Sequence, residues 1–197
     1  MGISAQEVKT LRDQTGVGMM DCKKALVEAD GDLEKALDIL RKSGAAKAVK
    51  KAGREIKEGA IGSYIHHNGK VGTMVELGCE TDFVARSDDF KALMKDLCQQ
   101  VAAAVPLAVD ETGLDPALLE KEKEVYTEQI RNEGKPEHLL EKIVEGRLIK
   151  YKKEVCLLDQ PFIKDDKKVV RDIIQDAILK LGENITVQRF VRYQFGE

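Results

Sequence analysis

Asn68-Gly69 stands between two β-type runs, residues 61–66 and 71–77. A two-residue Asn-Gly connection suits a turn in which both central residues need positive φ, so the pattern predicts a β-hairpin at this point of the chain. A third run, residues 186–195, is rich in β-branched and aromatic side chains. It is placed to add a strand and complete a three-stranded antiparallel sheet. Nearly all the remaining sequence follows helical spacing, so the predicted class is α+β and helix-rich.

The helical signals are specific. Ser4 with Glu7 fits a capping box, Val8 and Leu11 share a face, and Gly16 supplies a stop. A second short helix is predicted from about Asp21, with Cys22, Ala25, Leu26 and Ala29 inward. Asp30-Gly31-Asp32 reads as a turn and cap before a third helix with Leu33, Ala36, Leu37 and Leu40 inward. Residues 1–44 thus read as a small three-helix module. Residues 45–58 read as a basic helical linker weakened at Gly53, and 59–197 as an α+β core domain.

Within that core, Phe90, Leu93, Met94, Leu97, Cys98, Val101 and Val105 form an apolar stripe capped by Ser87 or Asp88 and ended by Pro106. Asp115-Pro116 opens another helix. Gly134-Lys135-Pro136 restarts a further one with Leu139, Leu140, Ile143, Val144 and Leu148 on one side, giving a helical hairpin over about 115–158. Gln160-Pro161-Phe162 reads as a turn. Val169, Val170, Ile173, Ile174, Ala177, Ile178 and Leu181 read as the last helix, stopped by Gly182.

Just past the hairpin lies Glu80-Thr81-Asp82-Phe83-Val84-Ala85-Arg86-Ser87-Asp88-Asp89-Phe90. It sets an acid beside a bare phenyl ring in a polar loop. Two readings are open for Phe83: it turns inward and caps the core, or it stays exposed and wedges into a partner.

Charge and chemistry narrow the function classes. Net charge is −3, against a protein that coats nucleic acid. Residues 41–54 nevertheless hold six basic side chains and no acid, and residues 110–124 hold six acids against two lysines. The basic run is either a solvated helix face or electrostatic guidance toward an acidic partner or RNA. Cys22, Cys79, Cys98 and Cys156 are scattered without a Cys-x-x-Cys pair and are expected to remain thiols. His66 and His67 close the first strand of the hairpin, where neighbours face opposite ways, so neither is expected to bind metal. No phosphate-binding Gly-rich loop, dinucleotide fingerprint, nucleophile elbow or His-Glu-x-x-His appears. The expectation is a protein without covalent catalysis, cofactor or metal site. No apolar run reaches membrane-spanning length, and residues 1–7 lack a signal-peptide pattern, so a cytoplasmic location is expected.

Two motifs carry a family resemblance. Thr15-Gly16-Val17-Gly18-Met19-Met20-Asp21-Cys22-Lys23-Lys24-Ala25-Leu26 and Glu80-Thr81-Asp82-Phe83-Val84-Ala85-Arg86 resemble the elongation factor Ts family, in its shorter form with one copy of the core subdomain. Glu133-Gly134-Lys135-Pro136, residues 142–147, Gln160-Pro161-Phe162 and Gly182-Glu183-Asn184-Ile185 are similar too. The resemblance implies a guanine-nucleotide exchange factor for elongation factor Tu, in its GDP-bound and nucleotide-free forms. It implies that residues 1–44 fold like a ubiquitin-associated domain, and that Val17, Gly18, Met19, Met20 and Lys23 dock on the partner's nucleotide-binding domain. Thr81, Asp82, Phe83 and Val84 would enter beside the partner's magnesium, disturb its phosphate-binding loop and release GDP. A homodimer is compatible with the single core copy and would rest on sheet edges or helices, because no cysteine follows Cys156. An adaptor built on the helical module, a ribosome-associated RNA binder using residues 41–54, and an unrecognised hydrolase are the competing readings.

Overall fold

The computed structural model describes residues 3–196. Met1, Gly2 and Glu197, the ends of the expected module and core spans, lie outside the described residues. The order is α1 (Ala5–Thr15), α2 (Met19–Glu28), α3 (Leu33–Lys51), β1 (Glu58–Ile65), β2 (Val71–Cys79), α4 (Asp82–Ala85) and α5 (Asp88–Ala104). Then come α6 (Pro116–Asn132), α7 (Glu137–Val155), β3 (Pro161–Phe162), β4 (Asp165–Val169), α8 (Val170–Leu181) and β5 (Thr186–Gln194). The fold is helix-rich α+β. Its antiparallel three-stranded sheet runs β1-β2-β5, as the hairpin and the terminal strand predict. Gly69 takes a φ of 68° in the hairpin turn, and the His66 N–H donates to the Val71 carbonyl to close it.

The chain divides into two compact units. The first holds the chain up to Gly62 together with Glu76–Asp96 and Asp172–Gln188. Its helical end is organised by caps. Ser4 and Glu7 form the expected capping box on α1, and Gly16 ends that helix at φ 66°, its N–H donating to Arg12. Asp32 caps α3 through the Glu34 and Lys35 amides. Leu11, Cys22, Leu26 and Ala36 are fully enclosed in one cluster with Val17, Ala25 and Leu40. Leu179 of α8 completes that cluster.

Two expectations here change. Leu37 faces solvent, and Ile39 packs on the cluster in its place. The reason is the cap. Asp32 fixes the first turn so that Ala36, Leu40, Gly44 and Ala48 fall on the buried stripe at intervals of four. That same stripe carries α3 through residue 45 as expected, but the helix stops at Lys51, short of the helical linker expected over residues 45–58. Gly44 on that stripe is buried, closely packed on Leu179: a Cβ would lie 3.4 Å from its Cδ2.

The second unit holds Ser63–Val75, Leu97–Arg171 and the chain from Arg189. α6 and α7 pack together as the expected hairpin, α6 capped by Asp115 with Pro116 in its first turn. Val144 is buried, whereas Leu139 is exposed in the first turn of α7. Gln160-Pro161-Phe162 is not a turn. Pro161 and Phe162 pair with β4 in a two-stranded sheet. A buried amide network imposes this. The Gln100 Nε2 donates to the Pro161 carbonyl at 3.1 Å, and its Oε1 accepts the Ile163 N–H at 2.9 Å. Gln160 donates in turn to the Ala104 and Glu154 carbonyls. Val105 drops out of the apolar stripe: α5 stops at Ala104, and Val105 is exposed at φ 48° before Pro106. Val169 belongs to β4 rather than to α8. β1 ends at Ile65, so His66 and His67 lie in the turn, their rings 4.2 Å apart rather than on opposite faces.

Candidate functional site

Both motifs singled out in the sequence fall in the first unit. After β2 the chain turns into α4, a single helical turn. Thr81 is extended, and its hydroxyl accepts the Val84 N–H at 3.4 Å, capping that turn. Asp82 points to solvent and pairs with Arg86 at 2.6 Å, one turn on. Ser87 follows, its hydroxyl donating to the Val84 carbonyl and accepting the Phe90 amide, so Ser87 caps α5. Between these caps the Phe83 ring is 86% exposed. Phe83 therefore does not turn inward to cap the core; Phe90, seven residues on, is the ring that enters it.

A bare phenyl ring held in water forgoes the roughly 1.5–3 kcal/mol that burial would contribute. The backbone beneath it is firmly held. Glu183 accepts the Glu80 and Thr81 amides at 3.1 and 3.0 Å and the Thr81 hydroxyl at 2.6 Å. Glu80 accepts the Asn184 amide at 2.6 Å and both 3.3 and 3.4 Å contacts from the Arg54 guanidinium. The Asn184 N–H holds the Glu80 carboxyl below its ordinary pKa, with the Arg54 and Lys51 charges adding to the effect. Asn184 is buried and its side-chain amide donates to the Arg54 carbonyl. The Lys51 ammonium donates to the Gly182 carbonyl, and burial pushes its pKa down, as does the neighbouring Arg54 charge. The Cys79 thiol donates to the Thr81 carbonyl at 3.1 Å; burial, then the Glu183 charge, pushes that thiol up.

The basic run is therefore bound into the fold at several points. Arg41 pairs with Asp172, Lys47 with Asp21, Arg54 with Glu80, and Lys51 binds Gly182. Sequence spacing gave no hint of these partners, which lie 26 to 131 residues away.

In the first motif, Gly18 is the N-cap of α2, its carbonyl accepting the Asp21 and Cys22 amides. Met19 and Met20 thus stand in the first helical turn, 46% and 65% exposed, with Lys23 exposed one turn on. Val17 differs: it is buried in the helical cluster, and its carbonyl accepts the Cys22 thiol at 3.5 Å. It shapes the turn from inside while the two methionines face out. Gly16 lies under the Lys180 side chain, which a Cβ would strike. Among the described residues, no three His, Cys, Asp or Glu side chains are grouped to hold a metal ion. No helix of the described residues is long and apolar enough to cross a membrane.

Comparison with known proteins places the chain among the translation elongation factors. The family described as Elongation factor TS matches residues 42–197. Elongation factor Ts of Oleidesulfovibrio alaskensis is 61% identical over 194 residues, covering 98% of each chain. That of Nitratidesulfovibrio vulgaris is 57% identical over all of this chain and 98% of the relative. That of Fervidobacterium nodosum is 57% identical over 197 residues, the whole of both chains. The chain belongs to the elongation factor Ts family.

Proposed function

We propose that this chain is a guanine-nucleotide exchange factor for elongation factor Tu, engaging its GDP-bound and nucleotide-free forms. The observation that carries the reading is Phe83, exposed on a turn whose backbone is held by two carboxylates. A wedge needs this combination. The ring must be free to enter a partner, and its mounting must not yield when it does. Thr81, Asp82, Phe83 and Val84 form the exchange turn, which enters beside the partner's magnesium and disturbs its phosphate-binding loop. Met19, Met20 and Lys23, set by Gly18 and by the buried Val17, dock on the nucleotide-binding domain. Thioether side chains suit an irregular groove.

The energies fix the division of labour. Burying one phenyl ring supplies about 1.5–3 kcal/mol, which is roughly ten- to a hundredfold in release rate. The wider interface, including the methionine turn, supplies the remainder by holding the partner in its nucleotide-free shape. Since coupling is reciprocal, bound nucleotide weakens this chain's own binding equally. No covalent step, cofactor or stable nucleic-acid contact enters the reading, and the site of action is the cytoplasm.

In the same reading residues 1–44 are a ubiquitin-associated-like module, 45–58 connect it, and 59–197 form the core and dimerisation domain. A second copy of the chain is favoured by a groove of about 460 Å³ in the second unit, lined by exposed Ile65, Met74, Tyr193 and Phe195. The test is release of a fluorescent GDP from purified elongation factor Tu with substoichiometric amounts of this protein. Rapid multiple-turnover release is expected. Binding without release would leave an adaptor, and neither binding nor release would remove the reading.

A further inference from the structure

We propose that Glu183 is the positioning residue of the exchange turn, a role that rests on the exchange reading above. Glu183 follows Gly182, whose φ of 79° ends α8, so its backbone stands at the end of a packed helix. From there its carboxylate takes three donors from two successive residues, the amides of Glu80 and Thr81 and the Thr81 hydroxyl. Hydrogen bonds to an ionised acceptor are about twice as strong as neutral ones. Together the three set the direction in which the chain leaves β2 and the rotation of the Thr81 side chain.

Thr81 is also the cap of the turn that holds Phe83. Contact therefore passes from Glu183 to the Thr81 hydroxyl, from there to the Val84 amide, and so to the ring's backbone. Glu80 returns the bond by accepting the Asn184 amide, so residues 80–81 and 183–184 hold each other from both sides. Ordering a loose turn during insertion would subtract from the free energy that the inserted ring contributes to GDP release; a turn already fixed avoids that loss. Glu183 does this without touching the partner.

The test uses the full chain with Glu183→Ala and Glu183→Gln, each alone and combined with Phe83→Ala. GDP release from elongation factor Tu is followed at rising factor concentration, and amide hydrogen exchange is read at Thr81. Glu183→Ala should lower the maximal release rate roughly ten- to a hundredfold, the scale of a misplaced reacting group. The half-saturating concentration should move less than about threefold, because docking rests elsewhere. Glu183→Gln should keep most activity: its amide oxygen accepts the two backbone N–H groups, and the Thr81 hydroxyl turns to accept from its NH2. In the Phe83→Ala background, Glu183→Ala should cost much less than in the unsubstituted chain, since it acts mainly through the ring.

An equal fractional loss in both backgrounds would overturn the proposal, reducing Glu183 to a folding role. Unchanged Thr81 exchange in Glu183→Ala would overturn the clamp itself. If the unsubstituted chain does not accelerate release, the exchange reading falls and takes the functional role with it. The Thr81 amide would still decide the clamp separately.

Discussion

The Lys180 ammonium lies 2.6 Å from the Asp89 carboxylate, and its methylene stem passes over Gly16. One side chain of α8 thereby touches the end of α1 and the first turn of α5. Asp89 comes just after the turn that carries Phe83, and Gly16 just before the turn that carries Met19 and Met20. The two proposed docking elements thus share a neighbour.

Gly16→Ala tests that neighbourhood. A left-handed φ costs a non-glycine residue about 1–2 kcal/mol, and the added Cβ also displaces the Lys180 stem. A fall in melting temperature of about 2–8 °C is expected by calorimetry. In a Lys180→Ala background the collision is gone and only the backbone strain should remain.

Phe83→Ala should leave the fold intact, because an exposed side chain contributes within about 0.5 kcal/mol of zero. Stimulated GDP release should drop about ten- to a hundredfold. Stopped-flow release beside a thermal melt checks both halves, and a chain that unfolds at ordinary temperature would mark the ring as core.

Asp82→Ala should have a smaller effect than Phe83→Ala. It removes one polar group and an exposed pair with Arg86, of a kind worth about 0–1 kcal/mol, and leaves the ring in place. The comparison needs only the two release rates under one set of conditions.

Acid should loosen the hold on the turn that carries Phe83. The Glu80 carboxyl titrates below its ordinary value because the Asn184 N–H, then Arg54, favour the ionised form. A depressed pKa contributes stability that is present above the unfolded value and lost as pH falls through the folded one. Between neutrality and the ordinary Glu range this contribution is constant. Below that range, Asn184 amide protection should decline in the unsubstituted chain and show no such step in Glu80→Gln.

All four cysteines are buried thiols, and burial pushes Cys98 up to about 11. Thiolate is the reactive form, so alkylation at pH 8 should be slow in the native chain and complete after denaturation. Mass spectrometry of iodoacetamide-treated samples reads the difference directly.

Much of the architecture was legible because its signals are local. Asn68-Gly69 located the hairpin, Ser4 with Glu7 and Asp115-Pro116 located helix starts, and the stripe from Phe90 to Val101 located α5. The errors came from distant partners. Pro161 and Phe162 read as a turn because the Gln100 amide that pairs them is some sixty residues away. The reading of residues 41–54 as a solvated face or as steering missed only that Arg41, Lys47 and Arg54 pair with acids distant in sequence. In the site, Phe83 was visible as an apolar residue out of place in a polar loop, whereas Met19 and Met20 were indicated only by the resemblance to the family. Glu183 and Asn184 stood in a stretch similar to the family's, yet nothing in their spacing revealed that they grip Glu80 and Thr81.

α3 has a consequence of phase. Its first turns present Ala36 and Leu40 to the helical cluster, and Lys51 and Arg54 at and beyond its last turn meet Gly182 and Glu80. Each residue of an α-helix turns the next by about 100°. One residue inserted near Lys42 would swing Lys51 and Arg54 by more than a quarter circle, away from their acceptors. A seven-residue insertion would return them to nearly the same bearing about 10 Å farther along. The uninterrupted helix therefore acts as a gauge, setting both the distance and the angle at which the methionine turn is offered relative to the phenylalanine turn.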